Sequence, residues 1–313
     1  MKAAQINGYG AQDVLEVTDD APKPVAGEGQ LLVEVYAASA NPFDWKVREG
    51  YMQEFIPLKF PAILGGDVAG TVAEIGDGVS GFEVGQAVYG QAGAASGQGS
   101  FAEFTPVKAG QLSPKPKSID YVTAAALPLA ATSAYQALVD HINLQSGQKI
   151  LIHGGGGGIG SQAIQIAKDL GAHVVTTVGT EDVDYAKELG ADEVIDYKTQ
   201  DFSTLVKDCD AVFDMVGGET NAKSYATLKK GGTFLSMVMK PDDDVVREYN
   251  ITYIHQSSQA TAERLAKVAE LVDAGKLKVN VDKIFPLDQA AEALEHLKTG
   301  HPRGKVVIEV KND

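Results

Sequence analysis

The apolar positions of this 313-residue chain follow two rhythms. Over residues 1–121 they come in short β-branched and aromatic runs, such as 30–37 and 68–75. Glycines then recur at Gly76, Gly78, Gly81 and Gly85. Short strands broken by turn residues predict a compact β-rich domain. From residue 122 onward strand and helix alternate. Residues 150–152 read as a short buried strand, after which Ala163, Ile166, Ala167 and Leu170 recur at helical spacing. Further strands are predicted from Val174, over 193–197, 211–216, 233–238 and 251–255. Helices are predicted over 181–189 and, between two of those strands, ending at Gly231 and Gly232. Such alternation specifies a parallel sheet covered by helices on both faces. A helix over 262–271 closes this region. The tail then reads strand, helix, strand over 283–285, 289–297 and 306–310, and is expected to rejoin the first domain. The expected fold class is α/β, a Rossmann doubly wound parallel sheet plus a β-rich domain. The expected boundaries are 1–121 with 278–313 for the β-rich domain and 122–277 for the nucleotide-binding one.

Composition narrows the functions open to such a fold. The net charge of −15 is spread along the chain, and such a surface repels phosphate backbones, so no nucleic-acid partner is expected. The acidic run 242–244 reads as a solvated loop. No stretch approaches the roughly 18 to 20 apolar residues of a membrane span. The first residues run into a strand without a signal-peptide hydrophobic region, so a cytoplasmic location is the expectation. The single cysteine, Cys209, excludes an intramolecular disulfide and any cysteine-rich zinc lobe, and reads as a buried structural thiol.

The segment that carries chemistry is 149–172. Gly155, Gly157 and Gly160 satisfy G-x-G-x-x-G directly after a strand and at the start of an amphipathic helix. In this arrangement the first glycine makes a tight turn, the second lets the backbone approach a pyrophosphate, and the third lets helix pack on strand. Amides at the helix N-terminus then face the diphosphate of a dinucleotide. The next strand ends at Val178, Gly179 and Thr180, without the Asp or Glu that grips a ribose 2′-hydroxyl in NAD-preferring folds. That favours NADPH over NADH. Lys198, beside Tyr197, is the nearest cation for a 2′-phosphate, while Glu181 and Asp182 are acids close by. His153, beneath the loop, reads as a packed residue rather than a base.

These residues resemble the zinc-independent quinone oxidoreductase (zeta-crystallin-like) and enone oxidoreductase branch of the medium-chain dehydrogenase/reductase superfamily. The resemblance covers nearly the whole chain. It rests on Ser39-Ala40-Asn41-Pro42-Phe43-Asp44-Trp45-Lys46, Gly65-Gly66-Asp67-Val68-Ala69-Gly70 and Gly81-Phe82-Glu83-Val84-Gly85 in the first part. Ala125-Ala126-Leu127-Pro128, Thr132-Ser133-Ala134-Tyr135, the glycine loop, Leu189-Gly190-Ala191-Asp192 and Gly304-Lys305-Val306-Val307 carry it in the second. The resemblance implies a GroES-like first domain, an active site in the cleft between the domains, and a homodimer joined through the last strands of the nucleotide sheets, here 251–255.

For the cofactor, the resemblance implies Asn41 and Ser133 near the nicotinamide end, and Gly154, Gly157, Gly158, Ile159 and Gly160 along the diphosphate. It implies Gly179 and Thr180 at the adenosine ribose, Tyr197 with Lys198 at the adenine or 2′-phosphate, and Lys305 reaching a cofactor phosphate. Val183 stands where the quinone branch often has a lysine.

Zinc-dependent relatives place Cys and Gly-His-Glu where this chain has Asn41-Pro42-Phe43-Asp44 and Gly65-Gly66-Asp67, so no zinc is expected. Hydride addition to a quinone or an α,β-unsaturated carbonyl compound is then the expected reaction. Lys46 and Tyr51 are candidates for stabilising charge or donating a proton, with a surface lysine and a packing tyrosine as the alternatives. Two other readings stay open: a zinc-type alcohol dehydrogenase-like enzyme, and an NADPH-binding sensor without turnover.

Overall fold

A computed structural model describes residues 1–241 and 243–312. The chain divides into two compact units, Met1–Leu129 with Ala260–Ala274 and Val279–Asp313, and Ala130–Gln259 with Gly275–Lys278.

The first unit is β-rich. A seven-stranded sheet runs in the order Val281–Pro286, Lys305–Glu309, Gln30–Ala40, Asp67–Ile75, Ala87–Gln91, Leu112–Pro114, with Phe104–Lys108 also paired to Gln30–Ala40. A three-stranded sheet of Leu15–Thr18, Ala3–Ile6 and Ala62–Ile63 accompanies it. The eleven-residue strand Gln30–Ala40 is the hub. Its first half pairs with Phe104–Lys108 and its last four residues pair with Lys305–Glu309 along the same edge. A register shift between Val35 and Ala37 separates the halves. Leu31, Val33 and Val35 therefore pack with Val68, Val72 and Val88, whereas Ala38 and Ala40 join Val47, Leu64, Phe101, Leu294 and Val306. One strand serves two cores, which is why it is buried on both faces and its sequence does not alternate.

The helix Ala262–Asp273, expected with the nucleotide-binding part, lies in the first unit. Two ties account for this: the Tyr89 phenol donates to the Leu265 carbonyl at 2.5 Å, and the Ser118 hydroxyl donates to the Asp273 carboxylate at 2.7 Å.

The second unit carries a six-stranded, all-parallel sheet. Its order is Glu193–Asp196, His173–Val178, Lys149–His153, Cys209–Asp214, Leu228–Ser236, Thr252–His255. In chain order that is 3-2-1-4-5-6, the doubly wound arrangement. Leu151, Val175, Val212 and Phe234 fill one face with Phe202, Val206 and Tyr225. Cys209 is buried among them, and burial pushes its thiol up to about 11, so it is structural.

Two expectations fail here. Gly231 and Gly232 do not end a helix: the helix Gly218–Ser224 stops earlier, and the glycines sit inside Leu228–Ser236. They absorb a jump in register against Cys209–Asp214, with Gly231 at φ 81° donating to the Asn250 carbonyl. A glycine in αL is a bulge residue as readily as a cap. Of the acidic run read as a loop, Asp242 lies outside the described residues, and Asp243 and Asp244 open the helix Asp243–Tyr249. Acids in a first turn face the positive end of the helix dipole, so the run stabilises a helix start.

Candidate active site and glycine loop

In the second unit the strand Lys149–His153 leads into the helix Gly158–Asp169 through the glycine loop. The turn is made by Gly154, at φ 78°, and not by Gly155 as the motif reading had it. The amides of Gly154 and Gly155 both donate to the Thr177 carbonyl at 3.1 Å, which fixes where the chain reverses. The other glycines divide sharply. A Cβ on Gly155 would stand 2.2 Å from Thr176 Oγ1, and one on Gly160 would stand 2.1 Å from the Gly154 carbonyl. Packing forbids both. A Cβ on Gly157 would meet only the Gly154 carbonyl at 3.6 Å, an ordinary contact. The protein itself does not need glycine there, so the open space suits a ligand that approaches the backbone, which is how a diphosphate fits. Gly158, Ile159 and Gly160 supply the first helical amides, which by helix geometry have no acceptor within the helix.

At the end of the second strand, Gly179 and Thr180 lie beside the third strand's end. The Thr180 hydroxyl donates to Asp196 Oδ2 at 2.7 Å, and the Lys198 amide donates to Asp196 Oδ1 at 3.0 Å. The Thr180 hydroxyl, first among several hydrogen bonds, holds the Asp196 carboxyl below its ordinary range. Tyr197 is exposed. Lys198 Nζ contacts both oxygens of Glu181, at 2.9 and 2.7 Å, and this pairing raises the lysine's pKa and lowers the acid's. Lys198, the cation expected for a 2′-phosphate, is thus shared with an acid.

Ser133 is buried on the helix Pro128–Tyr135; its hydroxyl donates to Ser258 Oγ at 2.6 Å and its carbonyl accepts from Gln256 Nε2 at 2.9 Å. His153 is fully buried between Thr177 Oγ1 at 2.9 Å and Ser224 Oγ at 2.8 Å. Burial drives its pKa down to about 4, against a smaller opposing pull from Asp214, so the ring is a neutral structural link.

The first unit holds a buried polar cluster that the register assembles. Ser39 faces Asp67 across one strand pair, and Ala40 faces Val306 across the other, which puts Lys305 next to Asn41. Asp67 Oδ2 accepts from Ser39 Oγ at 2.7 Å and Asn41 Nδ2 at 2.8 Å, and lies 3.3 Å from Lys305 Nζ; Oδ1 accepts from the Leu129 amide at 2.9 Å. Lys305 Nζ also donates to Asn41 Oδ1 at 2.5 Å and to the Ala40 carbonyl at 3.1 Å. Asn41 precedes the helix Pro42–Arg48, whose Asp44 carboxylate accepts from the amides of Asn41 and Gly65. Burial dominates Asp44 and lifts its pKa to about 7 in spite of those two bonds.

The sequence pointed to Asn41 and Lys305 separately, and did not find Ser39, Asp44 or Asp67 as their partners. Lys46 and Tyr51 lie apart from this cluster's contacts. Both are exposed and border the Trp45 ring, at 5.6 Å from Nζ and 6.0 Å between rings.

The chain is similar to known proteins over nearly its whole length. Residues 27–117 match the alcohol dehydrogenase GroES-like domain and residues 189–308 the zinc-binding dehydrogenase family. A 2-methylene-furan-3-one reductase of Solanum lycopersicum is 36% identical over 98% of this chain and 79% of its own length. An NADPH-dependent alkenal/one oxidoreductase of Arabidopsis thaliana, chloroplastic, is 34% identical over 98% of this chain and 79% of its own length. The solved quinone oxidoreductase of Coxiella burnetii superposes with a TM-score of 0.91 at 33% identity, covering 99% of both chains. The chain belongs to the medium-chain dehydrogenase/reductase superfamily, with quinone oxidoreductases and enone reductases among its relatives. It is an oxidoreductase with the GroES-like and Rossmann parts of that superfamily.

Whether a zinc fits is decided by the donor set. The residues at the ligand positions offer Asn41, Asp44 and Asp67, with no thiolate or imidazole, and the Lys305 ammonium sits against Asp67 and Asn41. A tetrahedral catalytic zinc takes at least two of its three protein ligands from His and Cys, with a carboxylate as the third at most, and no ammonium among them. This set does not fit it. Among the described residues no helix is long and apolar enough to cross a membrane.

Proposed function

We propose that this protein is an NADPH-dependent reductase of quinones or α,β-unsaturated carbonyl compounds, working without a metal. The observation that carries the reading is the glycine loop, where packing explains Gly155 and Gly160 but leaves Gly157 open. NADPH, when bound, supplies the hydride. Gly154, Gly157, Gly158, Ile159 and Gly160 hold the diphosphate with backbone amides and the positive end of the helix dipole. Gly179, Thr180, Tyr197 and Lys198 hold the adenosine end, Lys198 exchanging Glu181 for a 2′-phosphate. Asn41 and Ser133 orient the nicotinamide end, and Lys46 or Tyr51 stabilises the charge that develops on the reduced substrate's oxygen. The zinc-free assignment draws on the donor set, in which Lys305 already supplies positive charge beside Asp67.

The test is a panel of enones, alkenals and quinones followed at the NADPH absorbance band, with metal analysis of the purified protein. Turnover without stoichiometric metal is expected. Zinc at one equivalent, needed for activity, would favour an alcohol dehydrogenase-type reaction. Tight NADPH binding with no acceptor reduced would leave a nucleotide sensor. Replacing Lys46 by Met should lower turnover more than NADPH affinity; unchanged turnover would leave Lys46 with no part in the reaction.

A homodimer through the edge strand Thr252–His255 and a cytoplasmic location belong to the same proposal. Among the described residues the strand lies last in its sheet, paired on one side with Leu228–Ser236. Sedimentation at micromolar concentration should give twice the chain mass.

A further inference from the structure

Lys305 was expected at a cofactor phosphate, but its environment points elsewhere. Its ammonium has three hydrogens, and three protein oxygens lie on it: the Ala40 carbonyl at 3.1 Å, Asn41 Oδ1 at 2.5 Å and Asp67 Oδ2 at 3.3 Å. The side chain is 6% exposed. To reach a phosphate it would have to give up one of these three contacts. A buried ion pair is also a poor device for stability, because desolvation offsets most of the attraction. What such a pair does supply is orientation.

We propose that Lys305 is a positioning residue for Asn41, fixing its amide in the one orientation that offers an acceptor to the nicotinamide nucleotide. The inference rests on the nucleotide-binding reading above. An ammonium can only donate and a carboxylate can only accept. Lys305 therefore requires the Asn41 oxygen and Asp67 requires the Asn41 nitrogen, which donates to it at 2.8 Å. The flipped amide would set NH₂ against NH₃⁺ and oxygen against carboxylate. With Lys305 on one lone pair, Oδ1 keeps a second for a hydroxyl donor, such as those of a ribose. The remaining Nδ2 hydrogen reaches only the Ser39 carbonyl, at 3.5 Å. Asp67 anchors the pair, and the strand registers at Ser39 and Ala40 hold all three in place.

The experiment measures NADPH affinity by fluorescence titration in the wild type, N41A, the paired variant K305M/D67N, and the triple variant, with a thermal melt of each. The paired change removes both buried charges together, so the fold is not left with one of them. Loss of a single well-placed hydrogen bond is worth about tenfold in affinity. N41A and K305M/D67N should each weaken binding by about that factor, and the triple variant should bind no worse than N41A. Wild-type affinity in K305M/D67N, or losses that multiply in the triple variant, would overturn the proposal. A crystal structure of the wild type with NADPH decides it independently of how the variants fold. A nucleotide hydroxyl on Asn41 Oδ1, with Lys305 still on the same amide, supports the proposal, whereas Lys305 Nζ on a phosphate overturns it. A wild type that binds no NADPH at all would instead sink the reductase reading.

Discussion

In the second unit the glycine loop of the candidate site is made of backbone, and its glycines lie within seven consecutive residues. In the first unit the site is made of side chains from Ser39, Asn41, Asp44, Asp67 and Lys305, gathered from both ends of the chain. The loop works by what it leaves out: a Cβ at Gly160 would strike the Gly154 carbonyl, and a Cβ at Gly157 would fill space that no protein atom uses. The cluster works by what it puts in, two buried charges and an amide that satisfy one another. A site of the first kind tolerates burial because it brings few new polar groups with it. A site of the second kind is stable only as a complete set, since each member removed leaves a partner uncompensated.

That contrast can be broken most severely at Gly160. G160V should destabilise the second unit by more than about 3 kcal/mol, because the clash is with backbone, and abolish NADPH binding. G157A is the counterpart. It should melt within about 2 °C of the wild type while losing about tenfold in NADPH affinity, read by thermal melts and titration. An unchanged affinity would mean that the open space serves no ligand.

In the cluster, K305M alone leaves Asp67 buried and unpaired and should cost about 3–5 kcal/mol in urea unfolding, against a much smaller loss for K305M/D67N. Equal losses for both would show that the ion pair is not what holds the set together.

The two units should also respond to acid with opposite sign. His153 has its folded pKa lowered to about 4 from an ordinary 6.5, so the stability from keeping it neutral is present above pH 6.5 and is lost as pH falls towards 4. Asp44 has its folded pKa raised to about 7 from 3.8. Its contribution is therefore present below pH 3.8 and is lost as pH rises through 7. Each is on the order of 3 kcal/mol. Urea unfolding between pH 4 and 8 should show H153Q removing the acid-side loss and D44N the alkaline-side one. A parallel profile in either variant would refute its assignment.

The smallest effect is expected at the exposed Glu181–Lys198 pair, where E181Q should tighten NADPH about threefold and leave NADH unchanged in titration.

How much was legible follows the same division. The helix and strand that flank the loop were readable from Ile150, Ile152, Ala163 and Ile166, because their spacing reports a local period. The loop itself was readable as a motif, although the tight turn fell one residue earlier than the motif placed it. The turn depends on Thr177, whose carbonyl takes both loop amides from the neighbouring strand. Gly231 and Gly232 misled because a glycine's positive φ looks the same in a bulge as in a cap. Asn41 and Lys305 were picked out by resemblance, but their 264-residue separation carries no local signal that they touch.

The sequence by itself determined the two folds, the glycine loop between strand and helix, and the absence of thiolate and imidazole at the ligand positions. These depend on residue type and on periods of two to four positions. The tertiary structure decided that Lys305 faces Asn41 rather than solvent, that Lys198 is shared with Glu181, and that His153 and Asp44 shift in opposite directions. Those outcomes depend on strand register and burial, which exist only once distant segments are paired and water is excluded from between them.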